Sequence, residues 1–355
     1  METAYRLILA AGLFMALGWA VPAGAADIYT VRGIHVDETA KSAADARTVA
    51  QAAGQRLALG EILKRLTLPE DWPSLPAIDD RTAQAAVRGF QVASEKTSAT
   101  RYIADLNVSF QPDAVRQLLR SRNIAFGETQ AKPAVLLAVF EKSGAPVLWE
   151  EQNPWRDAWS AADIANAMTP LIVPLGDVEE LALVTAAQAR NGDKAALAGL
   201  AARYGTDGVV VADAVANADG TRLDVTVSRY GAEEAAPVKL AYQGADGFDT
   251  LAKSAAAGVL ATLSEQWKRQ IIVHEGEQAQ LTASVFFSDI GQWEAIRKGL
   301  ARTPLVLGLQ VEGISPGGAE VAISYKGSPD KLALSLAQAN IVLAQDHDGW
   351  SLRLR

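Results

Sequence analysis

The chain has 355 residues, of which 49% are apolar and 21% charged, with a formal net charge of −8, a pI near 5.1 and no cysteine. The acidic balance argues against nucleic acid as a partner, because holding phosphates takes a clustered positive surface. Without cysteine there are no disulfides, thiol catalysis, thiolate metal sites or Fe–S clusters, and the length predicts two or three domains rather than one core.

Residues 1–25 read as a cleaved secretory signal. Arg6 gives the positive start, Leu7 through Ala20 the apolar stretch, Pro22 its break, and Ala23-Gly24-Ala25 a small-x-small cleavage pattern. A membrane anchor would want roughly 20 apolar residues and charged flanks; this run is shorter and ends in a cleavage-like site. No Cys follows it, so a lipoprotein anchor is excluded. Cleavage is expected near Ala25 or Ala26, leaving the net charge at −8 because Glu2 and Arg6 leave together. No later segment is apolar enough for a second span. The Ala-rich composition and the type of signal point to the periplasm of a Gram-negative bacterium.

Residues 27–126 read as an N-terminal α+β domain of order β-α-(α)-β-β-α. Ile28–Val36 is a strand, and Ser42 or Asp45 caps the helix that follows. Ala46, Val49, Ala50, Ala53 and Leu57 recur at helical spacing, as do Leu59, Ile62, Leu63 and Leu66. The two stripes lie on different faces, so the helix is buried on both sides or bent near Gly54 or Gly60. A Pro-rich loop leads to a short helix around Arg81–Arg88. Tyr102, Ala104, Leu106, Val108 and Phe110 then alternate with polar residues in the clearest strand of the chain, paired with Phe90–Lys96 as a hairpin. Pro112 opens a terminal helix.

Residues 131–274 read as a middle α/β sandwich domain. Ala134–Phe140 is continuously apolar, as expected of a strand buried on both faces. Asp157–Met168 is a predicted helix and Leu171–Leu175 a strand. Asp193 caps a helix carrying Leu197, Leu200, Ala201 and Tyr204, Gly205 ends it, and Val209–Val215 follows as a strand. The Ala218-Asp219-Gly220 turn leads into Leu223–Arg229, and a long helix carries Leu251, Ala255, Val259, Leu263 and Trp267.

Residues 278–355 read as a C-terminal domain with the β-α-β-β-α-β order of ferredoxin-like folds. Its elements are Leu281–Phe287, a helix from Asp289, Leu305–Val311, Ala319–Tyr325, a helix capped by Ser328-Pro329, and a hairpin that turns at Asp348-Gly349. The fold class is therefore α+β and α/β, in three small sandwich units.

Candidate chemistry is sparse. His35, His274 and His347 fall in three different domains, and Asp346-His347-Asp348 sits in a turn where Asp serves the backbone. Ile314–Ala319 has a superficial likeness to the substrate-proximal phrase of PDZ-type modules but reads as a hairpin loop. Glu150-Glu151, Glu179-Glu180 and Glu233-Glu234 diverge as sequence neighbours and are expected to be solvated. There is no Gly-x-Ser-x-Gly elbow, His-Glu-x-x-His helix or phosphate loop. Trp149, Trp155 and Trp159 form the one unusual cluster. Trp155 and Trp159 share a helix face, and the group either packs on the central sheet or offers a stacking surface to a glycan or peptide.

The phrases Asp45-Ala46-Arg47 through Leu66, Tyr102-Ile103-Ala104-Asp105-Leu106 and Asn153-Pro154-Trp155 to Trp159 resemble a family of exported proteobacterial proteins known only as a domain of unknown function. Leu200 through Val211, a helix ending in Tyr204-Gly205 before a strand, resembles envelope-assembly folds of the TolB N-terminal and curli-secretion type. Neither resemblance implies catalytic residues. The expectation is a periplasmic, non-enzymatic binding or scaffold protein without cofactor or metal, whose partner is an envelope protein or glycan. The alternatives are a glycan- or peptidoglycan-binding module using Trp149, Trp155 and Trp159, and an unrecognised hydrolase.

Overall fold

The computed structural model describes residues 27–160, 162–232, 234–273, 278–346 and 349–355. The expected signal segment, His274, Glu233, His347 and Asp348 lie outside the described residues.

The first unit runs β1 (Thr30–Thr39), α1 (Ala43–Leu66), a 3-10 turn (Pro69–Ser74), α2 (Asp80–Ala86), β2 (Val87–Thr97), β3 (Arg101–Phe110) and α3 (Pro112–Arg120). Its antiparallel sheet has the order β1-β3-β2. The apolar set on β3 is buried against α1, leaving the opposite face of the sheet open. Ser42 starts α1 by accepting a hydrogen bond from the Asp45 amide at 3.1 Å. The helix passes unbroken through both glycines, so the bend, one of the two expected alternatives, is absent, and Gly54 instead allows a close approach. A Cβ at Gly54 would stand 2.5 Å from the Leu106 side chain. The first predicted stripe divides: Ala46 and Ala50 are buried, whereas Val49 and Leu57 face solvent.

The second unit holds β4 (Ala134–Lys142), α4 (Pro154–Ser160), β5 (Leu171–Ile172), α5 (Val178–Leu183), α6 (Ala186–Asn191), α7 (Lys194–Arg203), β6 (Gly208–Ala216), β7 (Arg222–Gly231), β8 (Ala235–Gln243) and α8 (Phe248–Ile271). The sheet order is β5-β4-β6-β7-β8, parallel across β5, β4 and β6 and antiparallel beyond. Helices α4 and α8 cover one face, and α5, α6 and α7 the other. β4 is accordingly buried on both sides. The predicted Asp157–Met168 helix is only the seven-residue α4, which starts at Pro154. β8 is an unforeseen edge strand.

The third unit is β9 (Gln278–Phe286), α9 (Ile290–Arg302), β10 (Val306–Ser315), β11 (Gly318–Lys326), α10 (Pro329–Gln338), β12 (Ile341–Asp346) and β13 (Gly349–Leu354). The β-α-β-β-α order is as expected, and the hairpin makes the sheet five-stranded: β10-β11-β9-β13-β12. A ferredoxin-like sheet gives the place beside its first strand to the strand that follows the second helix. Here β13 takes that place, running parallel to β9, and β12 is displaced to the edge.

The three units meet at the end of α8. Trp267, Ile271 and Ile272 complete the core of the first unit, and the Trp267 indole N–H donates to the Thr129 carbonyl at 2.6 Å. Buried Lys268 donates to the Lys64 carbonyl at 2.9 Å and to that of Thr67, where a cation faces the negative end of α1. From the third unit, Lys331 reaches the Ile272 carbonyl and Gln338 accepts from the Lys132 amide at 2.8 Å.

Candidate functional site

The tryptophans are not a surface. Trp155 and Trp159 are both 0% exposed, stacked edge to face between the sheet and α8 with centroids 5.4 Å apart. The Trp155 indole donates to the Ala212 carbonyl at 2.9 Å. Half-buried Trp149 belongs to the opposite face of the sheet and donates to the Val184 carbonyl at 2.7 Å. The i, i+4 spacing does put two of them on one helix face, but that face is the one α8 covers. A glycan-stacking role for Trp155 and Trp159 is therefore corrected: burial leaves no ring face for a ligand.

His35 stands on the open face of the first sheet. Its Nδ1 lies 2.9 Å from Asp105 Oδ1, and Ser94 Oγ donates to Asp105 Oδ2 at 2.6 Å. The three residues form a row across β1, β3 and β2. The carboxylate sits in the middle, so the imidazole meets Asp105 and not the Ser94 hydroxyl, and the row differs from the order in which a His base contacts the nucleophile and a carboxylate orients the His. Both hydrogen bonds hold the Asp105 carboxyl below its usual range. Among the described residues, no group of three or more His, Asp or Glu side chains is placed to hold a metal ion.

One glutamate expected at the surface is buried. Glu180 is 1% exposed and accepts from the Gly176 and Asp177 amides at 2.6 and 3.0 Å and from the Tyr204 hydroxyl. Burial, helped by the Glu180 charge, pushes the Tyr204 hydroxyl up to about 12. This is a capping box made permanent by burial.

The feature that a ligand could use is a cleft of about 380 Å³ between the second and third units, within the range of about 300–1,000 Å³ usual for small-molecule sites. The amino ends of β4 and β6, the end of β7 and residues 169–171 form one wall; α10 and β12 form the other. Leu171 and Leu263 face it from the second unit, and Leu334 and Val342 from the third. Its polar groups converge on Asp207, which pairs with Lys132 at 3.1 Å and Arg355 at 2.9 Å. The Lys132 hydrogen bond, with the charges of Lys132 and Arg355, holds the Asp207 carboxyl below its ordinary value. Arg229 also lines the cleft and donates to Gln266 Oε1 at 3.0 Å. Sequence reasoning missed this site. Lys132, Asp207, Arg229 and Arg355 are far apart along the chain, and no local motif marks them.

A second hollow, about 830 Å³, lies where the first and third units meet beside Ile271. It is lined by the loop after α3, residues 304–307 and Lys326, and its walls are more polar.

Residues 29–128 match a family model described as a domain of unknown function (DUF8605). The match takes in the Asp45–Leu66 and Tyr102–Leu106 phrases and stops short of Asn153–Trp159. No curated protein matches the chain.

Proposed function

We propose that this is an exported, non-enzymatic binding protein of the bacterial envelope, and that the cleft between the second and third units receives its ligand or the inserted group of its partner. The observation that carries the reading is the cleft: apolar walls from two units, with a few fixed polar groups at one end. Lys132, Asp207 and Arg355 are committed to one another, an arrangement suited to holding and orienting rather than to moving protons. Export rests on the sequence of residues 1–25.

The test is native mass spectrometry of the protein extracted gently from its own cells. An added mass, lost in an Ala337→Trp variant that fills the cleft yet keeps its melting temperature within a few degrees, is the expected result. An added mass that survives in Ala337→Trp would place the ligand elsewhere. If the native protein carries no added mass and crosslinks to no envelope component, the binding role fails.

A further inference from the structure

The chain is acidic overall, yet this cleft is not. It gathers three cationic side chains, Lys132, Arg229 and Arg355, against one carboxylate side chain, Asp207. Lys132 and Arg355 spend their charge on Asp207. Arg229 does not. It is half-buried near the end of β7, its only described side-chain hydrogen bond goes to the neutral amide of Gln266, and it has no carboxylate partner among the described residues. A planar guanidinium held in this way fits a carboxylate or phosphate through two parallel donors. Partial burial makes the attraction stronger than at an open surface.

The rest of the cleft is built for an apolar body. Leu171, Leu263, Leu334 and Val342 line it from both units. A wholly apolar ligand would displace water from Arg229 without giving it a partner, which is costly for a charged group. A cationic ligand would meet net positive charge. Resting on the cleft reading above, we infer that the ligand is an anionic amphiphile, a single apolar tail ending in a carboxylate or phosphate, with its head on Arg229 and its tail between α10 and the second unit.

The test is equilibrium binding to the full chain, below micellar concentrations, with four probes of equal tail length. These are tridecanoate, dodecyl phosphate, dodecanol and dodecyltrimethylammonium. At least one of the two anions should bind about tenfold or more tighter than the alcohol, the difference expected of a charge-assisted hydrogen bond, and the cation should bind weakest. Arg229→Gln should remove that preference while leaving the alcohol's affinity unchanged, and Ala337→Trp should weaken all probes together. Equal binding of anions and alcohol, or anion binding indifferent to Arg229→Gln, overturns the anionic head; the cleft reading survives that result if Ala337→Trp still abolishes binding. Anion binding that persists in Ala337→Trp, or no binding of any probe, overturns the inference as a whole, and the native added mass then judges the cleft separately.

Discussion

Trp155 and Trp159 fill the space between the central sheet and α8, and their large buried area makes each of them costly to remove. Trp155→Ala or Trp159→Ala should lower the unfolding free energy by about 3–5 kcal/mol, read from urea transitions, because the cavity left behind cannot fully collapse. Trp149→Ala, at a half-buried position, should cost less. Lys268 makes a different kind of statement. Burial lowers its ammonium from 10.5 to about 8, with Glu265 and Glu70 pulling the other way. The folded chain therefore binds fewer protons than the unfolded chain between pH 8 and 10.5. The cost of the buried charge is fully present below pH 8 and is relieved as pH rises through that window. Relative to Lys268→Met, the native protein should gain up to about 2 kcal/mol in stability between pH 7.5 and 9.5. A difference that stays flat would mean the α1 carbonyls hold the charge as well as water does.

Among the elements, those with a long and regular pattern were legible from residues alone. β3 alternates through its whole length, and α8 repeats Leu251, Ala255, Val259, Leu263 and Trp267 on one buried face. The two glycines of α1 suggested a bend because a helix with two apolar stripes needs an explanation, and close contact with Leu106 supplies it. Helices α5 and α6 are six residues each and depend on capping boxes at Asp177 and Thr185 rather than on periodicity. β8 carries Pro237 near its start, which argues against a strand, and that masked the alternation of Val238, Leu240 and Tyr242 with Lys239, Ala241 and Gln243 that follows it. The fate of the tryptophans was not legible at all, since i, i+4 spacing reads the same on a covered face and an open one. Asn153 is the element-scale test. Its amide donates to the Ala138 and Leu148 carbonyls at 3.0 and 3.2 Å, and its oxygen accepts from the Arg156 amide at 3.1 Å. Asn153→Ala should cost about 1–3 kcal/mol by stranding buried polar groups, measurable in the same urea transitions.

Across the whole molecule, the region matched by the family model does not close its own core. Met168, Trp267, Ile271 and Ile272 come from outside residues 29–128 yet complete the apolar cluster around α1 and β3. A fragment of residues 27–128 should therefore show faster amide exchange in α1 and β3 than the same segment in the full chain, and equal protection would mean that α8 contributes nothing there. The same join also explains why the cleft stayed hidden in the sequence: its walls become neighbours only once α10 and β12 are docked near the end of α8. The most direct test of the central claim is methyl NMR of Leu171, Leu263, Leu334 and Val342 during titration with an envelope extract of the source cells. Concerted shifts on both walls, absent in Ala337→Trp, are expected; shifts confined to the open face around His35, or none on the cleft methyls, would contradict the account.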